Sequence, residues 1–238
     1  MLRDPAIDAF FARWPRLRFG LLGHGGNRGA LELSPLGVSV EFWDAATNGA
    51  LVARYHAANA AKFGGSLALP GWVLVDLYLM PGAIALLLDE DDAVVAAWCG
   101  VPTVAAGVVM GVSMLSMREG IGAAYVVKRL GLASLGARVQ RGITQWDNRA
   151  LRTHTRLGPL RVVGPAPAVH GEWARSFVYE VETGAASPPQ TETIHPNEGP
   201  GLAALAGVEP VHVVFPGLDA SGRVCLARLP PISGTLPP

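Results

Sequence analysis

The sequence predicts an α/β domain followed by a C-terminal extension, and three observations carry that expectation. The first is a charge-free apolar stretch, Ala93 to Met117, cut by Gly100, Pro102, Gly107 and Gly111 into pieces of strand length. The second is the passage from its last piece, through Arg118-Glu-Gly-Ile-Gly122, into a run whose apolar residues recur at helical spacing. The third is a shift in composition over 184–201, which is rich in Pro, Ser, Thr and Gly as a linker would be. The domain is therefore expected over Met1 to Thr183, with a linker and a hairpin over 184–238.

Each element has a local cause. Asp4-Pro5 reads as an N-cap with proline at the first helical position, and Ala6 to Trp14 continue as a helix until Pro15. Gly20 to Gly29 read as a loop, and Val38 to Trp43 as a strand. Ala50 to Phe63 form a helix that Gly64-Gly65 stop. Trp72 to Met80 and Ala83 to Leu88 read as strands around Pro81-Gly82. Asp89-Glu-Asp-Asp92 then make a polar turn into the strand Ala93 to Gly100. After the strand Val108 to Met117, residues Ala123, Val126, Val127, Leu130 and Ser134 share one helix face, with Lys128 and Arg129 on the other and Gly136 as the stop. Arg138 to Gln145 read as a strand, and Asp147 to Leu157 as a helix closed by Gly158-Pro159. Leu160 to Val163 and Ser176 to Val181 follow as strands, and Val211 to Phe215 with Arg223 to Leu229 as a terminal hairpin.

Composition removes several function classes. The net charge is zero and only 16% of residues are charged, without a basic run, which argues against non-specific nucleic-acid binding. Cys99 and Cys225 make neither a disulfide framework nor a zinc pattern, as expected in a reducing compartment. The start, Met-Leu-Arg-Asp-Pro5, lacks the layout of a secretory signal, so a cytoplasmic location is expected. Ala93 to Met117 is long enough to span a bilayer. Its glycines and proline, its valines and the acidic residues before it fit buried sheet strands better. Neither Gly23-His-Gly-Gly-Asn-Arg28 nor Gly120-Ile-Gly-Ala-Ala-Tyr125 completes a dinucleotide fingerprint, and no Gly-x-Ser-x-Gly elbow exists. The acids Asp89 to Asp92 read as a solvated turn, not a metal site.

A strand that meets a glycine-bearing turn and then a helix builds an anion site. The first helical N–H groups lack intrahelical partners, and the dipole favours negative charge there. Gly120 and Gly122 would let a diphosphate approach the main chain. Taken in order, these residues resemble the second half of the GNAT superfamily of acyl-CoA N-acyltransferases. The family's pyrophosphate loop, Arg/Gln-Gly-x-Gly-x-Gly/Ala, is similar to Met117-Arg118-Glu119-Gly120-Ile121-Gly122. Two glycines match, while the leading Arg/Gln and the first glycine do not. The family's Asn-x-x-Ala…Tyr-x-x-x-Gly-Phe helix is similar to Asp147-Asn148-Arg149-Ala150, then His154, then Gly158-Pro159.

The resemblance implies a GNAT-like mixed, mostly antiparallel sheet flanked by helices, here with a C-terminal hairpin extension. It implies an acyl-CoA, acetyl-CoA by expectation, as co-substrate, and a small-molecule or peptide amine as acceptor. No nucleic acid or membrane is expected as partner, and a homodimer is compatible with the reading. Met114, Leu115 and Ser116 would line the pantetheine slot, with an N–H near Leu115 as oxyanion donor. Met117, Arg118, Glu119, Gly120, Ile121 and Gly122 would hold the diphosphate, Arg118 adding charge, and Asn148 would join the cofactor set. His154 stands where the family carries the tyrosine that protonates the CoA thiolate. The alternative is a histidine on a solvated face with Arg149, Arg152 and Arg156. Asp76, a lone carboxylate in an apolar run, is the candidate general base if burial raises its basicity. A residue facing solvent or an arginine explains it equally. Glu41 and His170 are weaker versions of the same idea, and Tyr55, His56 and Asn59 share a helix face with either a ligand or a structural role. The departures at the loop, at His154 and at Pro159 also feed a rival reading. In it, the module has lost catalysis and binds a CoA-type ligand or a protein partner.

Overall fold

The computed structural model describes residues 4–25, 36–64, 68–145, 148–166, 176–185, 192–194, 211–218 and 224–229. The chain divides into two compact units, Met1–Arg138 and Val139–Pro238.

The first unit runs α1 (Pro5–Arg13), β1 (Arg18–Gly23), β2 (Val40–Asp44), α2 (Gly49–Phe63), α3 (Gly71–Leu79), β3 (Ile84–Leu88), β4 (Val94–Pro102), β5 (Val108–Ser116) and α4 (Ala123–Ser134). Its strands lie in the order β2-β1-β3-β4-β5. Only β1 and β2 pair in parallel; the other neighbours are antiparallel, so the sheet is mixed and mostly antiparallel with helices against it. All of β3 and the first seven residues of β4 are buried, which accounts for their uninterrupted apolar runs. Among the described residues no helix is long and apolar enough to cross a membrane.

Local expectations change at several points. Gly20 to Gly23 are part of β1, not a loop; at Gly20 a side chain would collide with the Trp43 ring and the Glu41 backbone. The stretch read as a strand from Trp72 forms a helix, α3, which ends at Leu79. Leu74, Leu77 and Tyr78 are buried at helical spacing, while Trp72, Val75 and Leu79 are exposed. Apolar residues on both faces of α3 imitate the run of a strand buried on both sides. Lys128, expected on a polar face, is fully buried, because nine of the twelve residues of α4 are enclosed. Burial pushes its ammonium pKa well below the ordinary value.

Charged side chains fasten α1 and the β3–β4 turn. Asp4 caps α1 by accepting from the Ala6 N–H at 3.0 Å, and it also accepts from the Tyr125 hydroxyl of α4 at 2.6 Å. The acidic turn expected to be merely solvated is ringed by arginines. Arg16 meets Glu90 at 2.9 Å, Arg18 meets Asp92, Arg54 meets Asp92 at 3.4 Å and Arg118 meets Asp89 at 2.6 Å.

The second unit runs β6 (Val139–Gln145), α5 (Leu151–Thr155), β7 (Leu160–Pro165), β8 (Ser176–Glu182), β9 (Glu192–Ile194), β10 (Val211–Leu218) and β11 (Val224–Leu229). Its order is β6-β8-β7-β10-β11-β9, antiparallel throughout. On β8 the buried Glu180 lies between Arg141 of β6 and Arg161 of β7, at 2.9 and 3.2 Å. The terminal hairpin forms as expected, and β9, inside the stretch read as a linker, pairs with β11. Helix α5 is shorter than expected, five residues from Leu151. Arg152 and Thr153 close i−3 hydrogen bonds at its start, a tighter turn than an α-helix.

Helix α4 comes close to β4 at one point. A Cβ at Gly131 would lie 2.5 Å from Cε3 of the buried Trp98 ring. Gly131→Ala is therefore expected to lower stability by about 1–3 kcal/mol, as overpacking does. In the Trp98→Leu background it should cost less than in the parent, and urea unfolding of the four-protein cycle reads that coupling.

Candidate functional site

The segment from Met114 to Gly122 connects the end of β5 to the start of α4. Met114, Leu115 and Ser116 pair with Trp98, Ala97 and Ala96 of β4, and the Leu115 side chain is buried in the cluster beneath α2 and α3. The first half of the loop is tied down. The Met117 N–H bonds to the Val95 carbonyl at 2.9 Å, and the Ser116 hydroxyl donates to the Arg118 carbonyl at 2.9 Å. Arg118 reaches Asp89 in the β3–β4 turn, and Glu119 accepts from Lys62 in the last turn of α2 at 2.8 Å. The second half is open. Gly120 and Gly122 have φ of 79° and 87°, a region that favours glycine, and a Cβ at either would meet no atom within 4 Å. Gly122 caps α4, no side chain caps that helix, and no acidic residue sits in its first turn. The amides that open α4 stand at the positive end of the helix dipole, next to this open glycine segment. Such an arrangement can hold a phosphate or carboxylate.

Lys62 was not singled out in the sequence, where it is one lysine in an alanine-rich helix. The signal available was its place in the last turn before Gly64. Each cation beside the loop, Lys62 and Arg118, already has a carboxylate, so bare backbone supplies the positive character of the open half.

Asp76 stands exposed on α3. The burial on which its candidacy as a base rested is absent. Glu41 accepts from Arg18 at 2.7 Å and from the Trp43 indole at 3.0 Å, as an ion pair on β2 would. His170 and Asp147 lie outside the described residues. Tyr55 and Asn59 are buried on α2: the Tyr55 hydroxyl meets the Cys99 thiol at 2.7 Å, and Asn59 Oδ1 accepts from the Leu69 N–H at 2.8 Å.

The second unit holds Asn148 and His154. Asn148 Oδ1 accepts from the Ala150 N–H at 2.9 Å, heading the turn that leads into α5. His154 does not face solvent. Only 7% of it is exposed, Nδ1 lies 3.2 Å from the Tyr179 hydroxyl, and the two rings are 4.7 Å apart. Tyr179 also accepts from Gln140 Nε2 at 3.1 Å, and burial pushes its phenol pKa up. Sequence spacing could not find Tyr179 or Gln140, since strand pairing brings them to His154.

No protein-family model and no curated protein matches the sequence. Among solved structures, aminoglycoside 6′-acetyltransferase type Ii aligns at 14% identity over 58% of this chain and 92% of that one, with a TM-score of 0.44. The structure of yncA from Salmonella typhimurium with its cofactor acetyl-CoA aligns at 17% identity over 64% and 97%, with a TM-score of 0.43. A GNAT-family acetyltransferase from Listeria monocytogenes aligns at 14% identity over 48% and 72%, with a TM-score of 0.33.

The buried Tyr55–Cys99 pair sets an alkaline limit. Burial pushes the Cys99 thiol up to about 12, and the Tyr78 phenol likewise to about 12. Both are more acidic once unfolded, so their neutral forms favour the fold up to the unfolded pKa, and that contribution fades as pH rises toward 12. Stability by urea unfolding should decline between about pH 9 and 12, and Cys99→Ala should make the decline shallower. At neutral pH, Cys99 should resist alkylation until the protein unfolds.

Proposed function

We propose that this chain transfers an acyl group, acetyl by expectation, from acyl-CoA to an amine by direct attack within a ternary complex. One observation carries the reading. An uncapped twelve-residue helix, α4, follows two positive-φ glycines with open space above them, at the end of strand β5. A diphosphate fits such a seat better than a side chain does. Extended backbone at Met114 to Ser116 would run beside the pantetheine arm, and a main-chain N–H near Leu115 would donate to the thioester oxygen. The amine must arrive unprotonated. Its lone pair adds to the carbonyl carbon, the C–S bond breaks, the sulfur takes a proton and the nitrogen gives one up. His154 is assigned the proton donation to sulfur by its place in the sequence pattern alone.

The rival reading, binding without turnover, is favoured by the engaged state of Arg118 and Lys62, the cations that among the described residues lie beside the loop. Two measurements separate the readings. Acetyl-CoA should raise the melting temperature of the parent by mass action. Ala124→Glu adds an acid in the first turn of α4, which suits the helix dipole yet repels a diphosphate. That variant should melt no lower than the parent and lose the ligand shift; a retained shift removes the diphosphate from this loop. His154→Phe should lower turnover about 10²–10⁴-fold at saturating acyl-CoA, with little effect on binding, the range for general acid help. Bound CoA with no turnover of any amine by the parent would establish the rival.

The domain division at Thr183 belongs to the same proposal. β10 hydrogen-bonds along β7, pairing Val211 with Val162 and Val213 with Leu160. A chain ending at Thr183 would uncover that edge. It should fold but self-associate on size-exclusion chromatography, as an unprotected edge strand does.

A further inference from the structure

Helix α3 reads Gly-Trp-Val-Leu-Val-Asp-Leu-Tyr-Leu, and Asp76 is its only charged residue. A helix that is apolar all round is normally enclosed all round. Here the inner face is enclosed by Leu74, Leu77 and Tyr78, all 8% exposed or less. The outer face is not: Trp72 is 70% exposed, Val75 55% and Leu79 58%, with Met80 at 38% just beyond the last turn. Trp72, Val75 and Leu79 fall at i, i+3 and i+7, a continuous seam, and Asp76 lies within it. Exposed apolar residues scattered singly are ordinary, whereas a contiguous stripe of large ones marks a contact surface.

We propose that the outer face of α3 docks an amphipathic, cation-bearing peptide segment of a partner protein. Its apolar side chains would cover Trp72, Val75 and Leu79, and a lysine or arginine would meet Asp76. The chemistry of the face selects this occupant. A helix face is convex, and small ligands need concave sites, so a segment of comparable size is required. Anchors at i, i+3 and i+7 are the spacing by which one helix reads another. Among the described residues Asp76 has no hydrogen bond or ion pair, so its charge is uncommitted and specifies a cation opposite. A second copy of this chain packed about a two-fold axis would bring Asp76 toward its own equivalent, a like-charge contact. An anionic lipid surface is disfavoured by the same carboxylate. The indole of Trp72, four residues before Asp76, adds a ring face on which a cation is attracted.

The test uses the full-length protein and two synthetic helical peptides, acetylated and amidated. Both carry leucines at i, i+3 and i+7; one has lysine between them and the other glutamate. The lysine peptide should bind saturably by fluorescence anisotropy, about tenfold or more tighter than the glutamate peptide. Trp72→Ala should abolish binding, and Asp76→Lys should reverse the preference between the peptides. Both positions are exposed, and circular dichroism checks that the variants remain folded. Ala124→Glu should leave peptide binding unchanged, so failure of the acyl-transfer reading is seen separately. Equal affinity for the two peptides, or no affinity for either, overturns the proposal. A Trp72-dependent dimer in sedimentation without peptide binding would assign the face to self-association instead. Binding to phosphatidylcholine–phosphatidylserine vesicles without peptide binding would assign it to lipid, and either result also overturns the proposal.

Discussion

The contact between Trp98 and Gly131 decides how α4 lies on the sheet. The Trp98 indole projects from β4 toward the helix and is almost wholly buried, so the helix can come near only where it has no side chain. Gly131 supplies that position, and Gly100, two residues along β4, leaves room for the edge of the same ring. A glycine inside a helix costs about 1 kcal/mol relative to alanine. Burial of a large aromatic surface is the compensating gain. Since α4 is rigid, seating it at Gly131 also seats its first turn, and with it the open loop of Gly120 and Gly122. The candidate anion site is thus placed by a packing contact more than two helical turns away.

Ion pairs then hold the loop's surroundings. The β3–β4 turn gathers Arg16, Arg18, Arg54 and Arg118 around Glu90, Asp92 and Asp89, and Lys62 holds Glu119. Exposed pairs of this kind contribute little stability one by one. Their effect here is positional: Arg118 fastens the start of the loop to the β3–β4 turn, and Lys62 fastens the next residue to α2. What remains unfastened is the two-glycine segment.

Much of the fold was legible because its signals are local. Asp4-Pro5 opens a helix through a cap that needs no tertiary partner, and Gly64 ends α2 with a positive φ. The strands β3 and β4 were visible as apolar runs because the residues on both of their faces are largely enclosed, while β5, mostly half-buried, reads as apolar through its valines and methionines. The same logic failed at α3, whose outer apolar residues are exposed and so counterfeit a strand. It failed again at Lys128, a charged residue that burial encloses, and the solvated alternative for His154 failed because Tyr179 of β8 meets its ring inside. Asp76 illustrates the reverse case: its apolar neighbours suggested burial, yet it sits on the outer face of α3 with the exposed Trp72, Val75 and Leu79.

By itself the sequence determined most of the alternation of strands and helices, β1 and α3 excepted, and where the glycine turn meets α4. Periodicity, caps and glycine stops are properties of neighbouring residues, so one dimension suffices to read them. Only the tertiary structure decided which side chains meet: Arg118 with Asp89, Lys62 with Glu119, Tyr55 with Cys99 and His154 with Tyr179. Those pairs lie 25 to 57 residues apart in the chain. Strand register and helix docking bring them together, and neither is encoded in local spacing.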